Sequence, residues 1–201
     1  MAKRVFLAGL LGGLAMFIWM SLAHVVLPLG ETGVQEIANE PAVLAAMHAA
    51  LGEKSGLYLF PGMGLGPDAT SQQKNAAMQQ YDQKLAANPS GLLVYHPPGE
   101  TGMTVRRLAT EFLTEFLEAF LVVFLLAQTH LTTFGGRLAF VTVAGILASL
   151  PTNASYWNWY GFPMNYTAVY MLTQIVGFVC VGAVAAALMR KTAPKPIPVA
   201  A

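Results

Sequence analysis

The sequence predicts an all-α membrane protein: a four-transmembrane-helix bundle with a small α+β extracytoplasmic domain inserted between helices 1 and 2. Three observations carry this expectation. Apolar residues fill 55% of the 201 positions and charged residues only 10%, against about 25% charged in soluble chains; mean hydropathy is +0.53. Four apolar runs stand out, at residues 5–29, 108–134, 138–150 with an aromatic extension to 160, and 166–189. Each supplies the roughly 20 helical residues that a hydrocarbon core of about 30 Å requires. The interval between the first two runs is too long for a simple connection. The expected segments are helix 1 (1–29), the extracytoplasmic domain (30–103), helix 2 (104–134), helix 3 with an outer aromatic loop (135–163), helix 4 (164–191) and a disordered cytoplasmic tail (192–201).

Helix 1 opens on Lys3 and Arg4 and then runs apolar past Ser21-Leu22-Ala23, a pattern that also fits a secretory signal with a small-residue cleavage site. Signal cores span about 7–15 residues, and this run is longer, so an uncleaved helix is expected. Gly9 and Gly13 lie one turn apart and allow a neighbouring backbone to approach closely.

The inserted domain is punctuated clearly. Pro41 starts a short helix over 42–51 and Gly52 stops it. A strand-like run at 57–60 ends in Pro61-Gly62. A polar helix over 71–87 is closed by Asn88-Pro89, and a second strand-like run at 92–95 precedes His96-Pro97-Pro98-Gly99. The two halves resemble each other, as a duplicated helix–strand unit with paired strands would, although two short apolar strands can look alike by chance. So small a domain buries little surface on its own, and it is expected to cap the helices or dock on a partner.

Helix 2 carries Glu111, Glu115 and Glu118. Spacings of four and three residues place them on one helical face, and Arg107 extends that face by one turn. Counting about 20 residues back from Phe134 puts the membrane boundary near Glu115, with Glu118 inside the apolar zone and Glu111 at headgroup depth. Carboxyl groups beside hydrocarbon are costly and mark a candidate site; a helix end projecting into water is the plainer account. Pro151 interrupts the third run, which leaves a kinked or re-entrant segment open. Tyr156, Trp157, Trp159 and Tyr160 form an aromatic cluster suited to a membrane boundary. Asn153-Ala154-Ser155 formally matches a glycosylation acceptor.

Lys3, Arg4, Arg137, Arg190, Lys191 and Lys195 all fall on one side of four crossings. The positive-inside rule makes that side cytoplasmic, with both termini there and the inserted domain outside. Arg106 and Arg107 dissent, but they flank a long segment where the rule is weaker. The single cysteine, Cys180, excludes an intrachain disulfide.

At the outer level, His24 joins the three glutamates, with Asn153, Tyr170 and Gln174 as supporting polar groups. Converging, these residues would suit a hard divalent cation or a shared proton. No Glu-x-x-His or His-x-x-x-His spacing specifies a metal, and any metal is unassigned. His24 and His130 lie at opposite ends of the bundle, which disfavours a bis-His haem. His48 reads as a packed residue of the short helix.

Nucleotide-binding, hydrolase-elbow and zincin motifs are absent from the sequence. Basic residues are few and scattered, so no nucleic-acid partner is expected. The segments AGLLGGLAMFIWMSLAHVVLPLGETGV, NEPAVLAAM and GLYLFPG resemble a group of uncharacterised bacterial inner-membrane proteins. That resemblance implies a bacterial inner-membrane location and no mechanism. The layout is also similar to that of claudins, but the outer-loop tryptophan and cysteine signature is missing and nothing transfers.

Two functions are expected from different classes. One is a non-enzymatic accessory or scaffold subunit, in contact with membrane lipids and other membrane-protein subunits. The other is a cation- or proton-handling protein, serving transport or metal-assisted hydrolysis through the glutamate stripe.

Overall fold

The computed structural model describes residues 2–99 and 102–189. The tail expected at 192–201, with the cations Arg190, Lys191 and Lys195, lies outside the described residues. The chain forms two compact units: Met1–Val34 with Met103–Asn158 and Phe162–Ala201, and Gln35–Gly102 with Trp159–Gly161.

The first unit is helical. α1 spans Ala2–Ser21 and continues into a π-helical turn, Leu22–Val26; α4 spans Val105–Ala127, α5 Phe134–Tyr160 and α6 Met164–Leu188. Three of these are long and apolar enough to cross a membrane: Ala2–Val26, Phe134–Tyr160 and Met164–Leu188. The expectation of four such helices is therefore met by three. α4 has the length, but Arg106, Arg107, Glu111, Glu115 and Glu118 keep it out of that class.

α1 packs against both α4 and α6, and glycine makes the contacts close. A Cβ at Gly13 would lie 3.0 Å from Phe116 Cα of α4, and one at Gly12 would lie 3.0 Å from Val181 Cγ1 of α6. Gly9 meets the Phe120 ring. Without a hydrophobic drive between helices in lipid, such approach maximises dispersion contact. The Gly9–Gly13 pair thus serves packing within the chain. Trp19 Nε1 adds a 2.8 Å hydrogen bond to Thr173 O. α5 meets α6 through Gly145, where a Cβ would sit 2.6 Å from Phe178 Cβ. Ala8, Met16, Ala119, Val123, Val141, Phe178 and Val181 belong to one buried cluster drawn from all four helices.

Pro151 does not break α5, which runs through it as one helix. Proline removes the backbone donor that would serve Leu147 O; in the same turns Ser149 Oγ donates to Ile146 O at 3.1 Å and Asn153 Nδ2 to Ser149 O at 2.7 Å. Asn153 is buried and its amide is engaged, so it offers no site for a glycan. Trp157 and Trp159 are exposed beyond it.

The second unit contains α2 (Glu40–Leu51), β1 (Gly56–Phe60), α3 (Ser71–Ala87) and β2 (Gly91–Tyr95). The punctuation works as expected. Pro41 occupies the first turn of α2, and Gly52 ends it at φ +57°, a region that favours glycine. Thr70 and Gln73 close a reciprocal capping box at the start of α3. β1 and β2 pair antiparallel from Gly56 opposite Tyr95 to Phe60 opposite Gly91. One ribbon face carries Tyr58 and Tyr95, whose rings meet edge to face with centroids 6.4 Å apart. Tyr95 Oη donates to Gly52 O at 2.9 Å and lies 3.4 Å from His48 Nδ1. The other face carries Leu57, Leu59 and Val94, which are 65%, 52% and 65% exposed.

Candidate functional site

The α4 sequence places one carboxyl inside the helical unit. The buried positions of α4 are Glu115, Ala119, Val122, Val123 and Leu126, a stripe at helical spacing that faces the core. Glu115 is only 2% exposed, and neither carboxyl oxygen has a hydrogen-bond partner among the described residues. Glu118 sits on the flank of the stripe and is half-buried, while Glu111 lies one turn before Glu115 and is exposed. The charges that act on Glu115 are those of Glu111 and Glu118.

Glu115 also lies nearer the middle of its helix than a count from the sequence places it. α4 ends at Ala127 rather than near Phe134, which moves its span about two turns toward the N-terminus. Contacts with α1 fix the level independently. Gly13 faces Phe116, and Phe17 packs edge to face on Phe112 at 5.2 Å. The helices are therefore antiparallel, and Glu115 is level with Leu14, midway along the apolar span Ala2–Val26.

The same register separates His24 from Glu115. His24 lies ten residues further along α1 than Leu14, roughly 15 Å at 1.5 Å per residue. It is exposed in the π-helical turn, its Nδ1 is 2.9 Å from Met20 O, and its ring lies against Gly30. Among the described residues, no group of three or more His, Cys, Asp or Glu side chains is placed to hold a metal ion. A shared site built on Glu111, Glu115, Glu118 and His24 is thus not assembled for a metal.

The supporting residues divide. Tyr170 of α6 is within electrostatic reach of Glu111 and Glu118 and stacks on Tyr166 at 5.8 Å. Gln174 is half-buried in α6. Asn153 bonds within α5. Arg107 belongs to the first turn of α4, where its backbone N–H donates to Thr104 Oγ1 at 3.2 Å.

A second group of residues gathers at the other end of α4. A cleft of about 750 Å³ is lined by Arg4 and Val5 of α1, Leu126 and Ala127 of α4, the connection through Gln128–Thr132, Arg137 of α5, and Met189. Arg137 is 4% exposed. Its Nε donates to Leu131 O at 3.0 Å, while Nη1 has no partner among the described residues. In the sequence Arg137 reads only as a topology-setting cation. The signal that it points inward is the four-residue repeat that follows it: Val141, Gly145, Ser149 and Asn153, all buried.

No protein-family model matches this chain. No curated protein and no solved structure matches it significantly.

Proposed function

We propose that the chain is a multi-pass membrane protein that works as a non-enzymatic accessory or scaffold subunit, with its second unit engaging a partner protein. In this reading α4 is the fourth crossing and both termini are cytoplasmic, as the positive-inside rule favours. The location is the bacterial inner membrane, and residues 30–103 lie outside the cytoplasm. One observation carries the reading: among the described residues of the second unit, only Tyr95 is buried. Neither α2 nor α3 buries a residue, and Leu57, Leu59 and Val94 form an exposed apolar ribbon face. A segment with so small a core gains little from folding alone, and a contiguous apolar face marks an interaction surface.

The test is purification of the full chain from native membranes in mild detergent, beside a Leu57→Asp/Val94→Asp variant. A protein that co-purifies stoichiometrically with the wild type and is lost from the variant supports the reading. Equal recovery of companions by both chains, or none by either, sinks it.

A second reading rests on Glu115. A carboxyl at mid-depth with no partner is costly to keep charged, and such groups in membrane helices mark proton relays and ion paths. Here Glu115 handles a proton, with Glu111 on the side toward the start of α4 and Glu118 on the side toward its end as neighbouring acceptors. Proteoliposomes that release a proton gradient with wild-type protein, but not with Glu115→Gln, would support this role. Equal release by both would remove it.

A further inference from the structure

We propose that the cleft between the start of α1, the end of α4 and the start of α5 is a binding site for a phosphate group carried by an anionic phospholipid or by a small soluble phosphate. Cation supply is the first argument. Arg4 and Arg137 line the cleft beside the His130 imidazole, and none of the described residues lining it is acidic. The second is the state of Arg137. Its guanidinium is buried within the wall of the cleft, Nε is committed to Leu131 O at 3.0 Å, and Nη1 has no partner among the described residues. A buried guanidinium with an unfilled donor is a costly arrangement that an oxyanion relieves. Planar N–H donors of arginine match phosphate oxygens better than a lysine ammonium does.

The third argument is composition. Hydroxyl and amide groups of Gln128, Thr129 and Thr132 share the cleft with the apolar side chains Val5, Leu126 and Met189. Part of the polar lining is already used to shape the connection: Thr129 Oγ1 donates to Leu126 O at 2.8 Å and accepts from Leu131 N at 3.3 Å. Polar and cationic groups above an apolar floor fit a headgroup with acyl chains attached, and basic pockets between membrane helices on the cytoplasmic side hold such headgroups.

The experiment uses the full chain in a neutral detergent and reads thermal stability and bound lipid by native mass spectrometry. The probes are phosphatidylglycerol, phosphatidylcholine and inorganic phosphate. Phosphatidylglycerol is expected to bind and stabilise, phosphatidylcholine to do neither, and both effects to fall as salt rises. Arg4→Gln, on the exposed start of α1, tests the site without disturbing the buried Arg137, and it should weaken phosphatidylglycerol about fivefold. Arg137→Gln should weaken it at least as much. Stabilisation by inorganic phosphate that Arg4→Gln weakens assigns the site to a soluble anion, whereas an effect confined to phosphatidylglycerol assigns it to lipid. Equal binding of the two lipids, or wild-type affinity in both variants, overturns the proposal.

Discussion

The two units of this chain are held together in different ways. In the helical unit, glycines bring backbones together, and Gly12, Gly13, Gly145 and Gly177 each leave too little room for a larger side chain without displacing a neighbour. In the second unit, local devices dominate: a proline, a capping box, a left-handed glycine and a five-pair ribbon, with Tyr95 alone buried among the described residues. The difference teaches that regular secondary structure and packing are separable. The second unit is specified residue by residue along the chain, whereas the first is specified across it.

Substitutions should reveal that contrast. The largest loss is expected from Gly145→Leu, because a Cβ there would meet Phe178 Cβ at 2.6 Å; overpacking costs about 1–3 kcal/mol. Thermal unfolding in detergent should fall by several degrees, and an unchanged midpoint would show that α5 and α6 can separate freely. Glu115→Leu should act in the opposite direction. Removing an unsatisfied buried carboxyl returns about 1–3 kcal/mol, so this variant should melt higher than wild type, while Glu115→Gln, still polar, should gain less. A lower midpoint for Glu115→Leu would mean that the carboxyl has a stabilising partner.

Tyr95→Phe removes the hydroxyl that joins Gly52 O and His48, at about 1 kcal/mol. Hydrogen exchange should quicken in β1, β2 and the end of α2 and stay constant in α1 and α6. Uniform loosening of both units would break the contrast. The smallest effect is expected from Leu57→Asp: at an exposed position stability should stay within about 0.5 kcal/mol, read by the same melting measurement.

Local signals in the sequence account for most of the second unit. Pro41, Gly52, Pro61-Gly62 and Asn88-Pro89 bound α2, β1 and α3 within a residue or two, because turn and cap chemistry acts over a few residues. The end of α4 was not legible in the same way. Leu131 and Phe134 prolong the apolar run, but Thr129 and Thr133 hydroxyls capture backbone groups of Leu126, Leu131 and Gly136 and so compete with the helix. That shift of two turns also puts Glu115 in the middle of α4, level with the middle of the apolar span of α1. One-face spacing of the glutamates was legible; which of them turns inward depends on where α1 crosses, and only long-range packing fixes that. Arg137 is legible only in part: nothing beside it after Gly135-Gly136 marks burial, and the one signal is the four-residue repeat Val141, Gly145, Ser149 and Asn153 further along α5.

The position of α1 between α4 and α6 has a consequence for biogenesis. α1 leaves the ribosome first, yet α4 begins only at Val105 and α6 only at Met164. During that interval α1 has neither packing partner, and its glycine face is uncovered. Its composition allows this, because past Arg4 the span to Val26 carries only Ser21 and His24 as strongly polar side chains, both in its last two turns, and lipid tails solvate the rest as well as a neighbouring helix would. The order of the chain thus leaves α1 waiting for both partners, and α6, the later of the two, completes the contacts around it.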